Sequence, residues 1–290
     1  MPDSQQNPQD SNTSPTGSPP KAYLDTTVVA NALLRSDATG KRCADAIKKF
    51  AYSEMPEYAL KEFKSGPLKA WVWAHNKLNE TKSWADTLKA VNAISATPQR
   101  NFSATARQGL QQAAEADRDA FVTALGLAAD GGTPIDRALA DRYRLYFRRK
   151  ITLAWQRRRT IATDISMPLG CFIEGDLLVL NGGNLAFERY SCPRNADCDV
   201  FKLLTKLQND VSRLMDVVKA QPEKPENTRR YQALRHIHRT PNRPFSDSQC
   251  RSLGDAVFAL AAPPDSVILT TNIKDHAPLA GALGKIAAEP

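Results

Sequence analysis

Four acids stand out by type and position: Asp25, Glu62, Asp255 and Asp275. Asp25 follows the apolar run Ala22-Tyr23-Leu24. Asp275 lies just past Val267-Ile268-Leu269, and Asp255 sits inside the apolar stretch Leu253 to Ala262. Charges in such surroundings are costly unless something uses them. Carboxylates gathered at one place raise one another's pKa unless a cation neutralises them. Mg²⁺ or Mn²⁺ suits an all-oxygen ligand set. A site of that kind activates water and clamps a phosphate, which is the chemistry of metal-dependent phosphodiester hydrolysis. Each acid also has a plainer use. Asp25 and Asp275 could be helix N-caps, Asp255 a partly exposed helix residue and Glu62 a solvated one.

These acids need elements to position them. A strand is expected over roughly 21–25, leading into a helix that carries Val28, Val29, Ala32, Leu33 and Leu34. A second helix covers Arg42 to Lys49, and Phe50-Ala51-Tyr52 is a short buried strand. Ser53 should cap a third helix that has Pro56 in its first turn, carries Glu62 and ends near Gly66. At the other end of the chain, Ser252 to Ala262 reads as a helix stopped by Pro263-Pro264. Ser266 to Thr271 is a β-branched strand, Asp275 caps a helix to Leu283, and Lys285-Ile286-Ala287 is a last strand. Strand–helix alternation at both ends points to a parallel α/β sheet. Asp25 and Asp275 would then lie outside the carboxyl ends of its strands, where such sheets bind ligands.

Four local patterns resemble the motifs of PIN-domain nucleases, in the family's order. They are Tyr23-Leu24-Asp25-Thr26-Thr27-Val28-Val29; Ser53 followed by Ala59 to Gly66 with Glu62 inside; Leu253 to Ala261 around Asp255; and Ile268-Leu269-Thr270-Thr271-Asn272-Ile273-Lys274-Asp275-His276. The resemblance covers roughly 21–66 and 245–287, about a third of the chain. It implies a PIN-like (Rossmann-like) parallel-sheet domain and Mg²⁺- or Mn²⁺-dependent cleavage, usually of RNA. It implies Asp25, Glu62, Asp255 and Asp275 as catalytic metal ligands, with Thr27 and Asn272 in support. Many family members are toxins held by a protein antitoxin, but those are short single domains, whereas residues 67–240 intervene here. His276 stands where the family often has Phe.

The intervening stretch reads as a large, mainly helical insertion. Trp71, Trp73 and Trp84 fall at helical spacings, as expected of core more than of a base-stacking platform. Residues 103–128 are Ala-rich and helical, Asp130-Gly131-Gly132 breaks the pattern, and Pro134 opens the next helix. Leu177 to Leu180 and Leu185 to Phe187 form a hairpin around Asn181-Gly182-Gly183, inside 176–188. Phe201 to Val218 is one amphipathic helix. From Arg137 to Arg159 the cations exceed the acids by as much as the whole chain's net charge of +8. Leu139, Tyr143, Phe147, Ile151 and Ala154 share one face of this helix. Arg137, Arg144, Arg148, Arg149, Arg157 and Arg158 are the expected phosphate-backbone contacts, with Arg229, Arg230, Arg235, Arg239 and Arg243 extending them. The alternative is an ordinary solvated face.

Cys171, Cys192 and Cys198, with His236 and His238, could ligate zinc, but the cysteine spacing is wider than structural zinc usually shows. Buried reduced thiols are the simpler expectation. Residues 1–20 are polar and expected to be disordered. With no apolar run long enough to span a bilayer and no secretory signal, a cytoplasmic setting is expected. The domain reading is therefore a tail at 1–20, a PIN-like part at 21–66, an insertion at 67–240 and the second PIN-like part at 241–290. Expected partners are RNA, with tRNA or another structured RNA among the options, and an antitoxin if the chain is a toxin. A homodimer stays open. The alternative from another class is a nucleic-acid-binding or regulatory protein with an inactive PIN-like site.

Overall fold

The computed structural model describes residues 21–95, 100–118, 133–172, 174–188, 198–221, 224–240 and 246–290. The tail at 1–20, the Asp130-Gly131-Gly132 break, Cys192 and Arg243 lie outside them. The sheet is built around β1 (Lys21–Leu24), whose Ala22, Tyr23 and Leu24 are all fully buried. A strand buried on both faces is what a continuous apolar run encodes in a parallel sheet. β2 (Tyr52–Pro56) and β6 (Ser266–Leu269) flank it, β3 (Asp164–Ser166) lies outside β2, and β7 (Ile286–Ala288) outside β6. All four pairings are parallel, in the order β3-β2-β1-β6-β7. The chain is thus α/β with a five-stranded parallel sheet.

Two local expectations are corrected here. Phe50-Ala51 is a bend, and Ser53 belongs to β2, where it faces Ala22 instead of capping a helix. Its backbone carbonyl and hydroxyl hold Thr163 N at 2.8 and 3.1 Å, which leads the chain into β3. Pro56 closes the strand and serves as the N-cap position of α3 (Glu57–Phe63), where its fixed φ fits extended backbone.

The helices before and after the sheet strands follow the apolar periodicity. α1 (Thr26–Leu34) and α2 (Ala38–Lys48) come first, with Asp25 and Asp37 as N-caps. α3 does not end at Gly66: a π-helical turn, Lys64–Leu68, carries it into α4 (Lys69–Thr81). Then come α5 (Trp84–Ser95), α6 (Arg100–Glu115) and the long α7 (Thr133–Arg157). The hairpin of β4 (Leu177–Val179) and β5 (Leu185–Phe187) is antiparallel, and Gly182 and Gly183 take positive φ in its turn. The expected single helix over 201–218 is two, α8 (Asp199–Lys206) and α9 (Gln208–Lys219), broken at Leu207 (φ −104°, ψ 44°). The last helices are α10 (Pro225–Arg239), α11 (Asp247–Ser252), α12 (Gly254–Ala261) and α13 (Ile273–Ala282).

The described residues form two hydrophobic cores. One joins the sheet to side chains of α8, α9, α10, α12 and α13. The other lies among α4 to α7, with Trp71, Tyr143 and Phe147 at most 1% exposed. The stretch 67–240 therefore does not stand apart from the sheet, since it supplies β3 and three helices of the sheet's own core. Among the described residues no helix is long and apolar enough to cross a membrane.

Candidate active site at the carboxyl edge of the sheet

Asp25 leaves the end of β1 and caps α1, as its plainer reading expects. It is 3% exposed. Its Oδ2 accepts hydrogen bonds from Thr27 Oγ1 (2.6 Å) and from Thr270 Oγ1 (2.8 Å). Thr270 follows β6, and its hydroxyl also accepts from Asn272 N at 2.9 Å. Thr27 Oγ1 in turn accepts from Thr271 N at 3.1 Å. The two strand ends are thus laced together by threonine hydroxyls, and one carboxylate oxygen is fixed between them.

Glu62 arrives on α3 and is half-buried, which corrects its plainer reading as a solvated residue. Its Oε2 accepts from Thr26 Oγ1 at 2.7 Å. Burial raises its pKa to about 8, the Thr26 hydrogen bond opposes the rise, and the charges of Asp25 and Asp255 add to it. Gly254, the first residue of α12, lies against it: a Cβ there would stand 2.6 Å from Glu62 Oε1. This glycine lets α12 bring Asp255 beside Glu62.

Asp255 is held by Arg230 and His276. Its Oδ2 accepts from Arg230 Nη2, and His276 Nε2 lies 3.3 Å from its Oδ1. Burial would raise its pKa, but His276 and Arg230 outweigh that and lower it. His276 Nε2 is also 3.7 Å from Asp25 Oδ2. Burial pulls the imidazole's pKa down; the hydrogen bond to Asp255 and the charges of Asp25 and Asp255 raise it overall. His276 packs edge-on against Phe258, which also meets Tyr23 and Tyr58. Its Nδ1 is buried without a hydrogen-bond partner among the described residues.

Three of the four expected acids therefore face one another: Asp25, Glu62 and Asp255. Asp275 is turned to other partners, Lys224 Nζ at 3.1 Å and Asn272 Nδ2 at 2.8 Å. It is not the cap of α13; Asn272 is, and Asp275 lies in the first turn. Thr27 supports Asp25 directly, whereas Asn272 supports Asp275. Among the described residues no trio of His, Cys, Asp or Glu is gathered tightly enough to grip a metal ion. The donor chemistry still suits a hard divalent cation. The three acids offer oxygen alone, and burial together with the charges of Asp25 and Asp255 raises the pKa of Glu62, a cost that a bound cation would offset.

Arg230, Thr270, Thr26 and Gly254 are neighbours that the acid spacing does not single out. Arg230 is expected on the surface, yet it is 5% exposed. Its position three residues after Asn227 is the available signal, because Asn227 Oδ1 accepts from Arg230 Nη1 at 2.8 Å within one helix face. His276 is visible in the sequence only as a departure from an aromatic.

On α7 the apolar face Leu139, Tyr143, Phe147, Ile151 and Ala154 is buried as expected. Arg137, Arg148, Arg149 and Arg157 are exposed. Arg144 instead pairs with Asp141 at 3.5 Å. Arg158 is paired with Glu174 and lies 4.2 Å from the Trp155 ring centroid, so it ties the end of α7 to the loop before β4. Trp71 and Trp84 are core residues. Cys171 is buried and its Sγ accepts from Lys61 Nζ at 3.2 Å, and Cys198 is buried at the start of α8. No family model, curated protein or solved structure matches the chain.

Proposed function

We propose that the chain is a cytoplasmic, Mg²⁺- or Mn²⁺-dependent ribonuclease with a PIN-like site. The observation that carries this reading is the meeting of Asp25, Glu62 and Asp255 at the carboxyl edge of a parallel sheet, from three segments far apart in sequence. The order of the four motif-like segments and the net charge of +8 support it. Asp25, Glu62 and Asp255 would hold the ion, and when bound it supplies an activated water and a clamp on the phosphate. Thr27 and Thr270 fix the oxygen that Asp25 presents, and Thr26 fixes that of Glu62. His276 Nε2 lies between Asp25 and Asp255, and its raised pKa favours a proton there that would ease their repulsion. Asp275 acts from outside this trio, anchoring Lys224 to the start of α13.

Incubation of end-labelled RNA and single-stranded DNA with Mg²⁺, with Mn²⁺ and with chelator tests the reading. Cleavage of RNA that needs the ion and is lost in Asp25→Asn is expected. Cleavage that persists in chelator, or in that variant, rules the mechanism out.

A second reading has its own observation. Arg230 and His276 already neutralise Asp255 and Asp25, as in a nucleic-acid-binding or regulatory protein whose acidic site is silent. Calorimetric titration with Mn²⁺ separates the two: RNA binding without any Mn²⁺ uptake favours the second.

A further inference from the structure

A cleft of about 660 Å³ opens beside the acids. Its volume lies within the roughly 300–1,000 Å³ of small-ligand sites. Glu62 and Asp255 form one side, and α10 and α11 supply the other. From α10 comes Arg229, and from α11 come Arg251, Ser248 and Ser252. Arg229 and Arg251 are exposed, and among the described residues neither has a carboxylate partner. Arg230 also lines the cleft; it is nearly fully buried, and its Nε has no hydrogen-bond partner among the described residues. The hydroxyls of Ser246 and Ser248 lie 2.9 Å apart. One O–H joins them, which leaves the other O–H to donate outward. Glu226 is the acid on this side. It does not cancel two unpaired guanidiniums.

We infer that this cleft is a phosphodiester-binding groove, in which Arg229 and Arg251 hold the backbone of a single nucleic-acid strand next to Glu62 and Asp255. Guanidinium forks and hydroxyl donors are the groups that phosphate oxygens accept from. A cleft of about 660 Å³ has room for a nucleotide or two of a strand. In this groove the strand reaches the acids past α10 and α11. The inference deepens the ribonuclease reading and rests on it for the cleavage step, but the binding itself needs no cleavage. RNA and single-stranded DNA share the chemistry that the groove recognises.

Fluorescence anisotropy in chelator tests it, with end-labelled oligouridylate and oligothymidylate titrated at several salt concentrations. The variants are Arg229→Gln with Arg251→Gln, and, on α2 away from the cleft lining, Lys41→Gln with Arg42→Gln. All four side chains are exposed, and thermal unfolding confirms that each variant is folded. The cleft variant is expected to bind at least ~10-fold more weakly and to lose about 1.4 from the slope of log K against log salt. The α2 variant should bind within ~3-fold of wild type, as expected of charges that only add to the general field. The oligonucleotide that the wild type holds more tightly identifies the strand. If the wild type binds neither, or the cleft variant binds as the wild type does, the inference is overturned. Because chelator is present throughout, strand binding through the cleft by a protein that cuts nothing would overturn the ribonuclease reading alone.

Discussion

Glu62 shows most clearly how the site's charges are balanced. In the unfolded chain its carboxyl releases a proton near its ordinary value of 4.5; in the folded chain it keeps the proton to about 8. Between those values the folded state binds more protons than the unfolded one, so stability falls as pH rises, by about 1.4 kcal/mol per pH unit at most. Glu62→Gln removes that dependence, because the amide mimics the protonated acid. In chelator, the variant and wild type should unfold at similar temperatures near pH 4.5. The variant should become progressively the more stable as pH rises to 8. Parallel curves across that range would show that Glu62 is ionised throughout. His276 shifts stability in the same direction with pH: its raised pKa favours the folded state below its ordinary value of 6.5, and the benefit fades as pH rises through the folded value. Titration of the variant and the wild type should therefore include pH 5 to 8 as one series.

At the scale of elements, α12 is placed by small and capping features. Lys285 Nζ donates to the carbonyls of Ala259, Leu260 and Ala262 (2.6–3.0 Å), which satisfies acceptors that the helix end leaves open. Pro263 and Pro264 come next and stop the helix, as expected of that pair. At its other end Gly254 gives room to Glu62. Gly254→Ala would push the Glu62 carboxyl away, because a side-chain end yields more readily than two helices. RNA cleavage should fall at least ~10-fold while thermal stability stays near wild type, since Ala suits a helix better than Gly. Cleavage at the wild-type rate would show that Glu62's position does not matter. The strands β1, β6 and β7, the hairpin and the buried face of α7 are legible in the sequence because each carries an apolar run or period. β3 is not: Asp164-Ile165-Ser166 has no apolar pattern, and only backbone pairing with β2 and Thr163's bonds to Ser53 make it a strand. The single helix expected over 201–218 fails for a related reason, since a break at Leu207 leaves the apolar spacing on both sides intact.

Across the whole molecule, the same stretch of chain builds a second core and one wall of the site. The second core is tightly filled: a Cβ on Gly109 would meet Phe147 Cε1 at 2.8 Å. Phe147→Ala should cost about 3–5 kcal/mol, measured by urea unfolding. A loss below ~1 kcal/mol would mean that this core is loosely packed. Position along the sequence does not reveal that Arg230 reaches the acids, because the contact depends on how α10 lies against the sheet. Asp275 is the converse: the motif pattern puts it with the other acids, and Lys224 from the loop before α10 takes it instead. The acids Asp25, Glu62 and Asp255 can be picked from the sequence, but their counter-charges cannot. The most direct test of the central claim is the rate of RNA cleavage as a function of Mn²⁺ concentration, in wild type and in Asp25→Asn. A saturable, Mn²⁺-dependent rate that disappears in the variant is predicted. A rate indifferent to Mn²⁺, or equal in both proteins, would contradict the account.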